Sequence, residues 1–416
     1  MSSHSSIAAV SSVRASHSVI SPAVLASTSR VGRHVCSRDC SCRAGFQGIA
    51  TAPEAKKSTK NGEPAHWSGG WAAVTKGQPL EPWGHALGEL GPDEIDITVT
   101  HNGVCHSDIH MKDNDWGIST FPFIPGHEVV GVVSAKGAQV RGGLEIGQRV
   151  GVGWMVNSCR RCPSCLRGDE NVCDTGYTGT IVGNNGGFQA VLRLTSDFAF
   201  AIPDGLDSPS AAPLLCAGIT VFAPLKRHLK PGMKVAIMGI GGLGHLAVQF
   251  ANVMGGVVTA IDMFKDKETE ARKLGATNFV AWTPEAPAAH QGDFDLIINC
   301  ASGAVKMQDL MTMLRNDGTV VQIGIPGGNP MLEVPLQGLV FGQKRVVGSI
   351  VGGRSDTDAM LKMAAEKGVR PLIEIMPVAQ VNEAITRVQS GKARYRVVLD
   401  MANGSPVCTT VAPTKA

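Results

Sequence analysis

Four cysteines lie within one fifteen-residue stretch of this 416-residue chain: Cys159, Cys162, Cys165 and Cys173. Four thiolates at this spacing can surround one zinc ion, and a complete thiolate shell is typical of a structural site rather than a catalytic one. The residues between them are mostly polar and bury little, so a metal would replace the missing core. Disulfide bonds are the alternative, but 11 cysteines in 416 residues do not make a disulfide scaffold. The spacing therefore predicts a structural zinc lobe.

A second set of metal-ligand types is spread along the chain. Cys105, His127 and Cys216 offer sulfur and nitrogen, and Glu128 directly follows His127. Three ligands of this kind leave a fourth position for water, substrate or a nearby carboxylate, and a metal held this way polarises a carbonyl or lowers the pKa of a bound alcohol. Each residue alone also has a plain structural explanation, Cys216 above all, because it stands in an apolar stretch. Their combination with the four-cysteine lobe favours a catalytic metal site.

A glycine-rich turn follows an apolar run at residues 234–238. The pattern G-x-G-x-x-G then leads into a helix-forming segment, and this order of strand, turn and helix is the context that a dinucleotide-binding loop requires. The residues assigned to the loop are Gly239, Gly241, Gly242, Leu243 and Gly244. Asp262 ends the next apolar run, 18 residues after the last glycine. An acid there is expected to accept hydrogen bonds from the adenosine ribose. The alternative is a purely structural glycine turn.

These motifs together resemble the zinc-dependent alcohol dehydrogenases of the medium-chain dehydrogenase/reductase superfamily, and within it the cinnamyl alcohol dehydrogenase-like branch. The likeness runs from about residue 67 to residue 400. The zinc signature of that family, G-H-E-x2-G-x5-G-x2-V, matches residues 126–140 without a gap. The segments 114–117, 212–218 and 394–396 are similar to that branch in particular.

The resemblance implies metal-site roles. Cys105, His127 and Cys216 match the catalytic zinc ligands, and Glu128 matches the glutamate that approaches or exchanges onto that zinc. Asp108 matches the carboxylate that orients the histidine ligand, a task with its own physical reason. The four clustered cysteines match the structural zinc ligands. Two zinc ions per chain are therefore expected.

The resemblance also implies a proton path and cofactor contacts. Ser107 matches the hydroxyl that passes the substrate proton toward the cofactor ribose, and His110 matches the histidine that hands it to solvent. Arg396 lies near the position that contacts the cofactor pyrophosphate. The implied reaction is hydride transfer between NAD(P)(H) and a primary alcohol or aldehyde, aromatic or aliphatic. The alternatives are another zinc enzyme of the superfamily, such as a polyol or formaldehyde dehydrogenase, and, more remotely, a non-enzymatic zinc-binding protein.

The segment after the second strand bears on the choice of nucleotide. Enzymes of this branch usually use NADPH and carry small hydroxyl residues and a lysine there. This chain has Asp262, whose carboxylate would repel a 2′-phosphate, while Lys265 and Lys267 partly offset that repulsion. The local chemistry favours NAD, with NADP as the alternative.

The predicted fold is α/β with two domains. Short β-type runs broken by glycines occupy residues 67–211, which resemble a GroES-like, β-rich catalytic domain that contains the zinc lobe. Strands and helices alternate over residues 212–350, which predicts a Rossmann domain with a parallel, doubly wound sheet. Residues 351–402 are expected to return to the catalytic domain, and residues 403–416 are predicted to be disordered.

Composition limits the partners. The net charge is only +3 and aromatic residues make up 5% of the chain, so no nucleic-acid surface is indicated. No uninterrupted apolar stretch has the length of a membrane span, so no membrane partner is expected. A small aldehyde or alcohol is the expected partner. The resemblance implies a homodimer.

The N-terminal segment differs in composition from the rest. Residues 1–50 are rich in Ser, Ala and Val, contain five arginines and have no acid before Asp39. This composition is typical of an organelle transit peptide, and the serine content favours a plastid over a mitochondrion. A cytoplasmic protein with a disordered tail is the alternative. Residues 51–66 are polar and are interpreted as a linker.

Overall fold

The structure is a computed structural model that describes residues 67–327 and 331–402. The predicted transit peptide, the linker and the C-terminal tail lie outside these described residues. Within them, one sheet positions Cys105, His127 and Glu128, and a second sheet carries the glycine-rich loop.

The first sheet has seven strands in the order β16-β17-β3-β4-β5-β9, with β8 also paired to β3. Buried and outward-facing side chains alternate along the first half of β3. Ile95, Ile97 and Val99 are buried on one face, while Asp96 and Thr98 face outward, as expected for a strand with one face against the core. Two smaller sheets pair β1 with β2 and β6 with β7. The strands of this region are β1 (Trp67–Ala72), β2 (Glu81–Ala86), β3 (Glu94–Val104), β4 (Val129–Lys136), β5 (Arg149–Val152), β6 (Met155–Asn157), β7 (Thr178–Gly179), β8 (Val191–Thr195), β9 (Phe200–Ala201), β16 (Ile373–Pro377) and β17 (Arg396–Asp400).

The second sheet has six parallel strands in the order β12-β11-β10-β13-β14-β15. Its central strands are apolar runs buried on both faces, as in a sheet covered by helices on each side. The strands are β10 (Lys234–Met238), β11 (Val257–Asp262), β12 (Asn278–Ala281), β13 (Phe294–Asn299), β14 (Leu314–Gln322) and β15 (Arg345–Gly348). The predicted α/β class with a doubly wound sheet is confirmed.

The helices connect and cover these sheets. They are α1 (His106–Asp113), α2 (Pro163–Leu166), α3 (Ser208–Pro213), α4 (Ile219–His228), α5 (Gly244–Val253), α6 (Glu268–Lys273), α7 (Ala286–Ala289), α8 (Met307–Met313), α9 (Leu336–Phe341), α10 (Arg354–Lys367) and α11 (Val381–Gln389). A π-helical turn, Leu214–Gly218, joins α3 to α4. Strands β16 and β17 follow α10 and pair into the first sheet, so residues 373–400 return to the sheet that positions Cys105 and His127.

The joined helix Ser208–His228 is long and apolar enough to cross a membrane by length and composition alone. Its apolar window is 83% buried inside the protein, however, which is the situation of a core helix. The helix packs against α5 through Phe222 and Phe250, whose rings meet edge to face at 5.4 Å. Its apolar character is therefore accounted for by core packing.

Candidate active site

The open set of metal-ligand candidates comes together at one buried point. Cys105 is the N-cap of α1 and directly follows β3, and His127 and Glu128 directly precede β4. Because β3 and β4 pair antiparallel, with Asn102 opposite Val129, these two chain positions become neighbours. Cys216 arrives from the π-helical turn. One atom from each of the four residues lies within 4.8 Å of the others.

The separations fit a single tetrahedral zinc ion. Cys105 Sγ lies 3.9 Å from Cys216 Sγ, and His127 Nε2 lies 3.3 Å from Cys216 Sγ. Two sulfur ligands at the usual Zn–S distance would be about 3.8 Å apart in a tetrahedron. The hydrogen bond with Cys216 lowers the pKa of Cys105 well below its ordinary value, which favours the thiolate that binds metal. Donor type and spacing thus both fit zinc.

The Asp108 carboxylate fixes the positions of two ligand candidates, Cys105 and His127. Its Oδ1 accepts hydrogen bonds from His127 Nδ1 at 3.0 Å and from the Gly126 amide at 2.8 Å, and its Oδ2 accepts from the Cys105 amide at 2.9 Å. Since Nδ1 donates to a carboxylate, Nε2 of His127 is left to face the ligand group. Burial alone would lower the pKa of His127, but Asp108 outweighs it and raises the pKa well above its ordinary value. One buried carboxylate therefore positions two ligands.

Glu128 is held by an arginine from the far end of the chain. Its Oε1 pairs with the Arg396 guanidinium, while its Oε2 is buried with no hydrogen-bond partner. Burial raises the pKa of Glu128 to about 7, although Arg396 opposes the rise. Gly103 packs so closely on this carboxylate that a Cβ there would overlap Oε2. An orphaned carboxylate oxygen beside three ligands suits a residue that can approach the metal.

The four-cysteine lobe is the second candidate metal site. Cys159 and Cys165 place their sulfurs 3.8 Å apart, as do Cys162 and Cys173, and all four lie within 4.8 Å of one another. Amide N–H groups donate to these sulfurs, that of Cys162 to Cys159 and that of Asp174 to Cys162. Such donors stabilise thiolates, and backbone hydrogen bonding lowers the pKa of Cys159 to about 5. The closed shell fits a structural zinc ion.

The predicted proton-path residues lie on α1. The Ser107 hydroxyl is 3.8 Å from Cys105 Sγ. His110 lies one turn further on, its Nδ1 2.7 Å from Asp115 Oδ2 and its ring 5.0 Å from that of Trp116. In the part of the chain that the structure describes, no hydrogen bond joins Ser107 to His110.

The glycine-rich loop lies beside the metal site. Gly239 has φ +84°, which favours glycine, and a Cβ on Gly244 would overlap the Gly239 carbonyl. A Cβ on Gly242 would lie 3.1 Å from Arg396 Nη1. The same arginine that pairs with Glu128 therefore also packs on the loop. Leu243 is the N-cap of α5, the helix that begins at Gly244.

Asp262 lies at the end of β11 but turns its carboxylate toward the protein. Oδ2 accepts from the Ile240 amide at 2.7 Å and Oδ1 accepts from the Phe264 amide at 3.0 Å. Lys267 Nζ lies 3.1 Å from Asp262 Oδ2 and 2.9 Å from the Ile240 carbonyl. Lys265 has no described contact with Asp262. The acid and Lys267 thus form a pair at the mouth of the loop.

Two residues near the site were missed in the sequence. His106 follows the ligand Cys105, and this adjacency was the available signal; burial and Arg396 lower its pKa. His245 follows the last glycine of the loop and is completely buried, with Gly241 and Leu372 as partners. Nothing in the apolar helix pattern around His245 indicated those contacts.

Family models match the region of the metal-ligand candidates and the region of the dinucleotide loop. Residues 91–204 match the alcohol dehydrogenase GroES-like domain, and residues 242–366 match the zinc-binding dehydrogenase model. A probable formaldehyde dehydrogenase AdhA of Bacillus subtilis (strain 168) is 42% identical over 322 residues, covering 75% of this chain and 91% of that protein. The chain belongs to the zinc-containing medium-chain alcohol dehydrogenases. The resemblance predicted from the sequence is confirmed.

This alcohol dehydrogenase also matches a cinnamyl alcohol dehydrogenase structure from Sorghum bicolor, with a TM-score of 0.78 and 37% identity over 82% of this chain and 99% of that one. The NADP-dependent alcohol dehydrogenase C 1 of Mycolicibacterium smegmatis is 38% identical and covers 80% of this chain and 97% of its own. The relatives include mannitol dehydrogenases as well. The predicted NAD(P)-dependent activity on small alcohols and aldehydes is confirmed at this level.

Proposed function

We propose that this alcohol dehydrogenase interconverts primary alcohols and aldehydes with NAD(H) preferred over NADP(H). The observation that carries the preference is the buried Asp262 carboxylate at the end of β11, where a 2′-phosphate would have to sit. The side chain that would oppose this, Lys267, is only 17% exposed and is already paired with Asp262 and the Ile240 carbonyl. Neutralising a dianionic phosphate would need a cation that this pair does not offer.

The catalytic roles proposed for the metal site follow from its geometry. A zinc ion held by Cys105, His127 and Cys216 would polarise the substrate carbonyl and stabilise the alkoxide, while the cofactor supplies hydride. Asp108 keeps Nε2 of His127 facing the ligand group. Glu128, with its free Oε2, is proposed to exchange with water or substrate at the fourth position.

The proton path proposed for this reaction begins at Ser107. Its hydroxyl lies 3.8 Å from Cys105 Sγ, so it is next to the ligand group at which a zinc ion would hold the substrate. His110 is 19% exposed in its side chain and is held by Asp115, so it can pass a proton between the interior and solvent. Since no hydrogen bond joins Ser107 to His110 in the described residues, the bound cofactor would supply the hydroxyl that passes the proton between them.

Kinetics with both nucleotides test the cofactor preference. We expect a higher kcat/KM for NADH than for NADPH, measured with cinnamaldehyde and with a short aliphatic aldehyde. Asp262→Asn removes the charge and retains an acceptor, so it should raise the NADPH/NADH ratio about tenfold, which corresponds to roughly 1.4 kcal/mol of relieved charge repulsion. Asp266→Asn, which removes the same charge from an exposed carboxylate on the same segment, should leave the ratio unchanged. A wild-type preference for NADPH would contradict the proposal.

A substrate panel separates the activities found among the relatives. Cinnamaldehyde, a short aliphatic aldehyde, formaldehyde with glutathione, and mannitol should be compared at saturating nucleotide. Higher kcat/KM for the first two would support aldehyde reduction. Higher kcat/KM for mannitol or formaldehyde would favour the polyol or formaldehyde alternative instead.

We also propose a homodimer formed along the β15 edge. Among the described residues, strand β15 is the last strand of the six-stranded sheet, and its outer backbone groups have no strand partner there. Next to it in sequence, Leu336, Val340 and Phe341 of α9 are 73%, 63% and 82% exposed, which is unusual for apolar side chains in one helix. Light scattering should give twice the chain mass for the wild type and a single chain for Phe341→Asp with Val340→Asp. A monomeric wild type would contradict this proposal.

Import into a plastid is proposed from the composition of residues 1–50. A fluorescent protein fused behind those residues should accumulate in chloroplasts of a plant or algal cell. A fusion that begins at residue 51 should stay in the cytoplasm. Mitochondrial accumulation of the first fusion would favour the alternative organelle.

A further inference from the structure

The imidazole of His245 links the dinucleotide loop to the start of β16. Its Nδ1 lies 2.9 Å from the Gly241 carbonyl, and the Leu372 amide donates to its Nε2 at 3.2 Å. Since an amide N–H can only donate, Nε2 is the acceptor, and a neutral ring carries its proton on Nδ1, where it donates to Gly241. Burial lowers the pKa of His245 to about 3, which keeps the ring neutral. Both ring nitrogens are therefore committed.

The hydrogen bonds continue from Leu372 to the metal site. The Leu372 carbonyl accepts from the amides of Tyr395 at 3.0 Å and Arg396 at 3.1 Å, the residues at the start of β17. The Arg396 side chain pairs with Glu128, one of the four ligand candidates. An unbroken series of contacts thus runs from the loop that would hold the pyrophosphate to the carboxylate beside the metal.

An aromatic contact limits the freedom of the His245 ring. The ring of Tyr395 lies 5.0 Å from it, tilted by 32°, and the Tyr395 hydroxyl donates to Glu270 on α6. The imidazole is therefore fixed by two hydrogen bonds and by contact with one tilted ring, and both rings are buried. A shift of the Gly241 backbone would be passed to Leu372 rather than absorbed by rotation of the histidine.

We propose that His245 is a positioning residue that couples the dinucleotide loop to the metal-site carboxylate of Glu128, through Leu372 and Arg396. Its ring is completely buried and hydrogen-bonds to backbone groups, so it would act through these neighbours. Its effect is to hold the loop and the start of β17 in one relative position, so that a bound dinucleotide and the Arg396–Glu128 pair are aligned together. Loss of the ring should then disturb both nucleotide binding and turnover.

Two substitutions separate the hydrogen bond to Gly241 from the hydrogen bond with Leu372. His245→Leu removes both hydrogen bonds, whereas His245→Asn retains a donor near the position of Nδ1 and lacks an acceptor within reach of Leu372. For His245→Leu we expect the Kd of ADP-ribose, measured by calorimetry on the zinc-loaded protein, to rise about tenfold, the factor associated with one buried polar group losing its partner. We also expect kcat at saturating nucleotide to fall about tenfold. For His245→Asn, the Kd should recover toward wild type while kcat stays low.

Gln249 offers a matched control on the same helix. Its side chain makes a reciprocal pair with the backbone of Arg370, at 2.9 and 3.0 Å. Its Nε2 also donates to the backbone carbonyl of His245 at 3.1 Å, a contact that does not involve the imidazole ring. Gln249→Leu should lower the melting temperature but leave the Kd of ADP-ribose, KM and kcat unchanged. Zinc content should remain at two per chain in all three variants.

Three results would overturn the coupling. The first is a His245→Leu protein with wild-type kcat and Kd. The second is a rise in Kd with unchanged kcat, because the loop would then be positioned without any effect on the metal site. The third is a Gln249→Leu protein with the same losses, or loss of zinc from the His245 variants, because either would make the role one of general stability. If His245→Leu does not fold, His245→Asn alone still decides, since it must separate kcat from Kd.

Discussion

Replacement of Asp108 by Asn should loosen the catalytic zinc and leave the structural zinc in place. Asp108 accepts three hydrogen bonds, from His127 Nδ1 and from the amides of Gly126 and Cys105. Asparagine has one acceptor oxygen instead of two, and its amide group must face an N–H donor wherever it points. In the least costly orientation, the oxygen keeps Gly126 and His127, and the Cys105 amide is left buried without an acceptor.

The size of the effect follows from that loss. A hydrogen bond to a charged group is worth about 1.5–3 kcal/mol, and an unsatisfied buried amide adds to the cost. Taking about 2 kcal/mol gives a roughly 30-fold loss of affinity, since each 1.4 kcal/mol is a factor of ten. This lies within the range of about 10–100-fold typical for partners of metal ligands.

Competition with a chelator measures this directly. Wild-type and Asp108→Asn proteins are titrated with a zinc-binding dye of known affinity, and the two zinc ions are resolved by their different release. We expect the Kd of one zinc ion to be about 30-fold higher in the variant than in the wild type. The Kd of the second ion should be the same in both proteins. The control is Asp115→Asn, which changes the partly exposed carboxylate that pairs with His110. It should leave the affinity for both zinc ions unchanged. Equal retention of both ions in Asp108→Asn would refute the reasoning.

Three further predictions concern other parts of the molecule. Gly244→Ala should weaken ADP-ribose binding at least tenfold by calorimetry, because a Cβ there overlaps the Gly239 carbonyl and displaces the loop; unchanged binding would contradict it. Cys173→Ser should reduce bound zinc from two ions to one by elemental analysis and lower the melting temperature; two retained ions would show that the lobe closes without it. The pKa of His245 is lowered from 6.5 to about 3 in the folded state, so the unfolded chain binds a proton first and stability is lost as pH falls below about 6.5. Between pH 6.5 and 5, wild type should therefore lose up to about 2 kcal/mol more unfolding free energy in urea than His245→Leu; parallel pH profiles would exclude this linkage.

Local motifs could be predicted from the sequence because their chemistry is encoded in short spacings. The four cysteines of residues 159–173 lie within one short local segment, so their spacing predicts their grouping. The glycine-rich loop is likewise defined by the strand before it and the helix after it, and both were predicted. The fold class followed from the alternation of strands and helices.

Contacts between distant segments depended on sheet register, which the spacing does not encode. Arg396 reaches Glu128 across 268 positions of sequence because β17 pairs with β3, which in turn pairs with β4. The resemblance suggested a pyrophosphate contact for Arg396 and did not indicate its pairing with Glu128. The inward turn of the Asp262 carboxylate was also not apparent, since it depends on the Ile240 and Phe264 amides pointing at the end of β11.

The sequence by itself determined which chemistry is available: zinc ligands of two kinds, a dinucleotide loop and the family to which the chain belongs. The tertiary structure decided how these parts are held against one another. His245 illustrates the difference, because its two partners lie 4 and 127 positions away, and only folding brings Leu372 to its Nε2. A residue type states what a side chain can donate or accept, whereas the packing of the sheets and helices decides which groups it meets and whether water is excluded from them.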